Sequence, residues 1–169
     1  MDNQKNYIQD LLNGLKSTNK EQKLLSIFAL GILREKEHAK ALTDLLASTD
    51  SEIVEQVIIV LGHIANPTSV KHLVDFLNNT NSKLSNATLK ALKSFDITDA
   101  LDSVIRSCTS DLPSAVRKNY LDILLNYNDI RVASLMNEVL GQTADPELLV
   151  MTIDYFIRYP STEKHTSLK

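Results

Sequence analysis

Apolar positions recur along this chain on two scales. Over short range they step by three and four residues within segments of about 10 to 15 residues, separated by polar breaks, which is the pattern of amphipathic helices. Over long range the same columns return every 31 residues: Leu30, Leu61 and Leu92; Leu33, Ile64 and Phe95; Leu11, Leu42, Leu73 and Val104; Leu15, Leu46, Leu77 and Cys108. Thr18, Thr49, Thr80 and Asp111 keep the same interval. A period of this length marks one supersecondary unit that buries its apolar face only against its neighbours, so the chain reads as an all-α stacked solenoid.

Each unit reads as two helices. First helices are expected near 4–16, 37–47, 68–78, 98–109 and 130–140, and second helices near 19–34, 50–65, 81–95, 112–127 and 146–159. The repeats thus run over 4–34, 37–65, 68–95, 98–127 and 130–159, within a single domain of residues 1–160 followed by a flexible polar tail, 161–169. Thr18 with Glu21 and Thr49 with Glu52 fit capping boxes, and Thr80 and Asp111 can cap alone. Asn66 before Pro67 and Asp145 before Pro146 supply a polar cap followed by a residue that lacks an amide donor. Gly31 and Gly62 stand inside helical patterns at a cost of about 1 kcal/mol each relative to alanine, which predicts close helix packing there. After Asp111 the interval lengthens to 32 or 33, as in Phe95 to Tyr127 and Pro113 to Pro146.

The stretch from Leu61 to Leu73, with Leu61-Gly62, an aliphatic Ile64, the Asn66-Pro67 turn and a following helix, resembles the short bacterial HEAT-like repeat. Val116-Arg117 is similar to the valine–arginine pair that often opens the family's second helix, although Lys23, Val54 and Ser85 occupy the matching places elsewhere. The resemblance implies a right-handed α-solenoid of five two-helix HEAT-like repeats that binds other macromolecules. It also implies that the second helices line the concave face.

Composition narrows the chemistry. With 169 residues and one cysteine, the chain can bury a core without disulfide or metal, and Cys108 takes a place in an apolar column. The most positive stretches, 1–36 and 68–96, carry only +2 each, and tryptophan is absent, so charge and aromatic content offer no nucleic-acid footprint. No run approaches the roughly 18 apolar residues of a membrane span, and a cytoplasmic location is expected. HEAT-like metal hydroxylases use paired His-Glu dipeptides. This chain has none, and Glu37-His38 reverses the order at what reads as a solvated helix start. Catalytic, cofactor and metal residues are accordingly expected to be none. Bilin lyases and related phycobiliprotein factors contain this repeat class, so a bilin lyase-like enzyme or subunit acting on a tetrapyrrole–protein substrate is the alternative that resemblance leaves open.

The second helices carry the main functional signal. In the first of them Ser26, Ile27, Leu30 and Leu33 form the inward arc, which leaves Leu24, Leu25, Phe28 and Ile32 pointing away from it. Two columns cross this face: Phe28, Ile59, Lys90 and Asp122; and Ile32, His63, Ser94 and Asn126. The expected site is a graded groove in which Leu24, Leu25, Phe28, Ile32 and Ile59 receive an apolar partner segment and His63, Lys90 and Asp122 orient it. Coverage of these residues by the chain itself is the competing reading. The last helix, with Leu148, Leu149, Met151, Ile153, Tyr155, Phe156 and Ile157, is too apolar for a polar end cap. Self-association, packing by the tail, or further repeats would each cover it.

Overall fold

A computed structural model describes residues 2–160; the tail expected at 161–169 lies outside the described residues. The described residues are helical, with α1 (Asp2–Gly14), α2 (Lys20–Leu33), α3 (Ala39–Thr43), α4 (Ser51–Ile64), α5 (Val70–Leu73), α6 (Ser82–Leu92), α7 (Leu101–Ser107), α8 (Ser114–Leu124), α9 (Ile130–Gln142) and α10 (Pro146–Arg158). They form an α-solenoid class of fold in which odd-numbered helices open each pair and even-numbered helices close it. The chain divides into two compact units, Met1–Asp96 and Ile97–Lys169. The first holds three helix pairs of regular 31-residue spacing.

Most residues of the repeat columns lie in the core of the first unit, while Leu11, Leu33 and Leu46 are half-buried. Leu30, Leu61 and Leu92 are buried, as are Leu42 and Leu73, and Ile27 on α2 and Val57 and Ile58 on α4 are fully buried. The short helices α3 and α5 are entered and left through 3₁₀ turns, Lys36–His38 and Asp44–Ala47 for α3, Pro67–Ser69 and Val74–Asn78 for α5. Their tighter i→i+3 bonds satisfy backbone groups that so short a helix leaves open. Gly31 and Gly62 have the packing role the sequence suggests: a Cβ on Gly31 would lie 2.8 Å from a Val60 methyl, and one on Gly62 would lie 2.8 Å from Ala91 Cβ.

The caps differ from the sequence reading. Thr18, Thr49 and Thr80 each stand one residue before the cap, and the side chains that accept first-turn amides belong to Asn19, Asp50 and Asn81. A carboxylate or amide oxygen reaches the N2 and N3 amides from that position, which makes the neighbouring threonine redundant. Ser17, Ser48 and Asn79 accept in turn from the backbone amides of Asn19, Asp50 and Asn81, so the 31-residue period repeats a two-residue capping device. Asp111 caps nothing; α8 begins after Pro113 with no side-chain cap. Asn66 and Asp145 do cap as expected. Helices α2 and α4 both exit through left-handed residues, Arg34 (φ 53°) and Ala65 (φ 49°), again 31 apart, each donating its amide to the Leu30 or Leu61 carbonyl.

In the second unit Tyr155 is fully buried on α10, and its hydroxyl donates to the carbonyls of Tyr127 and Asp129, both at 3.2 Å. Arg131 on α9 reaches Asp102 on α7 at 2.9 Å and Asp129 at 2.7 Å, and Lys118 on α8 pairs with Glu147 on α10. Cys108 is buried as its column predicts, and desolvation pushes its thiol up to about 11. Such a thiol is a core group and a poor nucleophile.

Three caps carry a pH signature. The Lys20 ammonium beside Asp50, the Arg131 guanidinium beside Asp129 and the Ser114 hydroxyl beside Asp145 hold these carboxyls below their ordinary 3.8. Because each folded-state value lies under the unfolded one, the unfolded chain binds more protons as the pH falls below 3.8. Stability that is fully present above that range is lost beneath it. Asp50→Asn keeps an acceptor at the cap but cannot titrate, so its melting temperature should fall less steeply between pH 4 and pH 2 than that of the parent chain. An equal slope would show that Asp50 takes no part in the acid limb.

Candidate functional site

The outer face of the second helices in the first unit is open. Leu25, Phe28 and Ile32 are 70%, 62% and 67% exposed, at positions i, i+3 and i+7 of α2. That spacing draws one apolar line along the helix, and the opposite side of the same helix supplies Ile27 and Leu30 to the core. Leu24 and Ile59 are half-buried and line the clefts of the seam between α2 and α4, where the sequence reading has Leu24 pointing largely away from the core. Packing against α1 and α4 covers the other sides of α2 and leaves this crest bare.

Three clefts follow one another across this face. The first, about 350 Å³, lies at the start of the α2–α4 seam between Glu21, Leu24, Leu25, Phe28, Glu52 and Gln56. The second, about 310 Å³, continues the seam past Phe28 and Gln56 to Ile32, Arg34, Ile59 and His63. The third, about 530 Å³, lies between α4 and α6, floored by Gly62 and Ala91 and rimmed by Ile59, His63, Lys83 and Lys90. The small floor residues explain its depth, because a Cβ at Gly62 would already touch α6.

The structure therefore brings together Leu24, Leu25, Phe28, Ile32, Ile59, His63 and Lys90 from the residues the sequence nominated. Asp122 is half-buried on α8 in the second unit. The 31-residue column extends the repeat into α8, but a column preserves register and not membership of one compact unit. Reasoning from sequence missed Gln56, Arg34 and the cleft role of Glu21 and Glu52. The glutamates were assigned to capping boxes, and with Asn19 and Asp50 doing the capping they are free to line the seam. Arg34 carries a visible signal, its 31-residue match to Ala65, which is meaningful only once both are seen to be left-handed exits.

Glu35, Glu37 and His38 place three possible ligand atoms within 4.8 Å of one another. His38 is buried, against the solvated helix start expected from sequence, and its Nε2 lies 2.9 Å from Glu35 Oε2. The pair closes the 3₁₀ turn that leads into α3, which accounts for a histidine with little exposure so close to two glutamates. His63 and His72 are exposed and far apart in register, consistent with histidines that form no column.

Stacked two-helix repeats with Asx caps on α2, α4, α6 and α10 and glycines at the contacts of α2 with α4 and of α4 with α6 define a helical-repeat solenoid. The chain belongs to the HEAT repeats family, whose profile matches residues 8–93. Among solved structures it is similar to an engineered protein at 21% identity, with 88% of this chain and 77% of that one covered and a TM-score of 0.55. It is also similar to a chain in the complex of CpcE and CpcF of phycocyanin lyase from Nostoc sp. PCC7120, at 16% identity, 88% and 96% coverage and a TM-score of 0.58. At these identities the likeness is one of fold. No curated protein matches the sequence. No helix among the described residues is long and apolar enough to cross a membrane.

Proposed function

We propose that this chain is a non-enzymatic interaction scaffold that binds a segment of another protein on the α2–α4–α6 face. One observation carries the reading: Leu25, Phe28 and Ile32 form an exposed apolar line that opens directly onto connected clefts. Burying a Phe or Leu side chain contributes about 1.5 to 3 kcal/mol, so two or three such anchors suffice for a modest complex. HEAT repeats generally mediate protein interactions, which agrees with an open second-helix surface.

The test compares affinity capture from native lysate by the parent chain and by a Phe28→Ser, Ile59→Ser double variant, with melting curves for both. A partner retained by the parent and lost by the variant at nearly unchanged melting temperature is the expected result, since Phe28 is mostly exposed and Ile59 half-buried. Identical captures from the two proteins, or a large fall in stability with lost capture, would mean that this face is structural. Retention of a tetrapyrrole by the purified chain, or its transfer to an acceptor protein, would replace the scaffold reading with a lyase-like one.

A further inference from the structure

The seam between α2 and α4 has a charge polarity as well as an apolar floor. Both helices are 14 residues long, so each spans about 20 Å. At their first turns the lining side chains are Glu21 and Glu52. Lys20 pairs with Asp50 and Glu52 at 2.7 Å each, and one lysine against the three carboxylates of Glu21, Asp50 and Glu52 leaves that end negative. At the far end the clefts are lined by Arg34 and His63, with Lys90 beyond them on α6. Arg34 and Lys90 make no ion pair among the described residues, and both are exposed. Lys83 departs from the pattern, standing near Glu55 at the first turn of α6.

We propose that the α2–α4 seam receives a partner's amphipathic helix of about four turns, acidic in its first turn and basic in its last, lying antiparallel to α2. The inference rests on the docking reading above and names the chemistry of the occupant. Leu25, Phe28, Ile32 and Ile59 extend along the seam and match an apolar stripe of i, i+3 and i+7 spacing on the occupant. In the antiparallel arrangement the occupant's basic last turn meets Glu21 and Glu52, and its acidic first turn meets Arg34, with Lys90 in the neighbouring cleft adding positive charge at that end. The same placement of charges is the one its own helix dipole favours, so a stable helix and a complementary one coincide. Electrostatic matching at exposed ends sets orientation and on-rate more than total affinity.

Two 14-residue alanine-based peptides test this, with the same leucine stripe. One carries two glutamates in its first turn and two lysines in its last, and the other has these charges exchanged. Fluorescence anisotropy at low salt against the intact chain should show the first binding about fivefold to tenfold more tightly, a preference that fades as salt screens the end charges. With Arg34→Glu, Lys90→Glu both ends of the seam are acidic, and the ratio should collapse toward one. A ratio unchanged in that variant would show that the preference belongs to the peptides' own helicity and would overturn the polarity. Equal binding of both peptides by the parent chain removes the polarity and leaves the docking face standing. Binding of neither removes both. A concentration-dependent dimer that the first peptide fails to dissociate would assign the seam to a second copy of the chain and overturn the proposal.

Discussion

Arg117→Met is expected to stabilise this protein, although it deletes a residue that resembles a family signature. Arg117 is 5% exposed on α8, and its Nε and Nη2 find no hydrogen-bond partner among the described residues. The contact it does make is with the Cys108 thiol, a weak acceptor that burial keeps protonated. Replacing buried ionic groups by apolar side chains of similar volume is neutral or stabilising by about 1 to 4 kcal/mol, and methionine follows the arginine stem without branching. For a chain of this size each kcal/mol shifts the melting temperature by about 2 to 4 °C. Arg117→Lys keeps the charge while losing the planar group that packs in the site, and it should lower the melting temperature. Calorimetry of the two variants separates the ideas: a fall for methionine comparable with that for lysine would mean that the guanidinium is fully satisfied in solution.

The second large effect concerns two glycines that composition alone would treat alike. Gly62→Ala should destabilise by about 1 to 3 kcal/mol, the range for overpacking, even though alanine is the better helix former by about 1 kcal/mol. The new methyl would stand 2.8 Å from Ala91 Cβ and 2.9 Å from Ala91 Cα, atoms that cannot move without shifting α6. Ser94 resists that shift, because its hydroxyl donates to the Gly62 carbonyl at 2.8 Å. Gly141→Ala meets nothing within 4 Å near the end of α9 and should gain about 0.5 to 1 kcal/mol. Gly31→Ala falls between them, since the atoms it approaches are Val60 methyls at the end of a short side chain. Chemical denaturation of the three variants checks the order; a stabilised Gly62→Ala would show that α4 and α6 can separate without loss. The same substitution raises the floor of the cleft between these helices, so weaker partner binding should accompany it.

Much of the architecture was legible in the spacing of apolar residues. A 31-residue return of Leu30, Leu61 and Leu92 requires equivalent positions in equivalent pairs, and all three are buried. The inward and outward faces of α2 followed from helical geometry, which separates Ile27 and Leu30 from Leu25, Phe28 and Ile32 by more than a quarter turn. Periodicity could not say which of two adjacent polar residues caps a helix, because Thr18 and Asn19 are both competent acceptors and the choice depends on where the backbone turns. Nor could it reveal that His38 is buried against Glu35 or that Arg117 lacks partners, since both depend on what surrounds a side chain in three dimensions.

By itself the sequence determined the repeat, its helical content, the buried columns, the need for small residues at Gly31 and Gly62, and the apolar surplus on α2. These are consequences of period and side-chain type, which a linear chain records. Tertiary structure alone decided that the surplus on α2 stays exposed and that Leu24 and Ile59 turn into seam walls. It also decided that Glu21 and Glu52 line a cleft and that Asp122 belongs to the second unit. Burial depends on distances between segments far apart in the chain, and a residue's place in a repeat fixes which way it points without fixing what it meets.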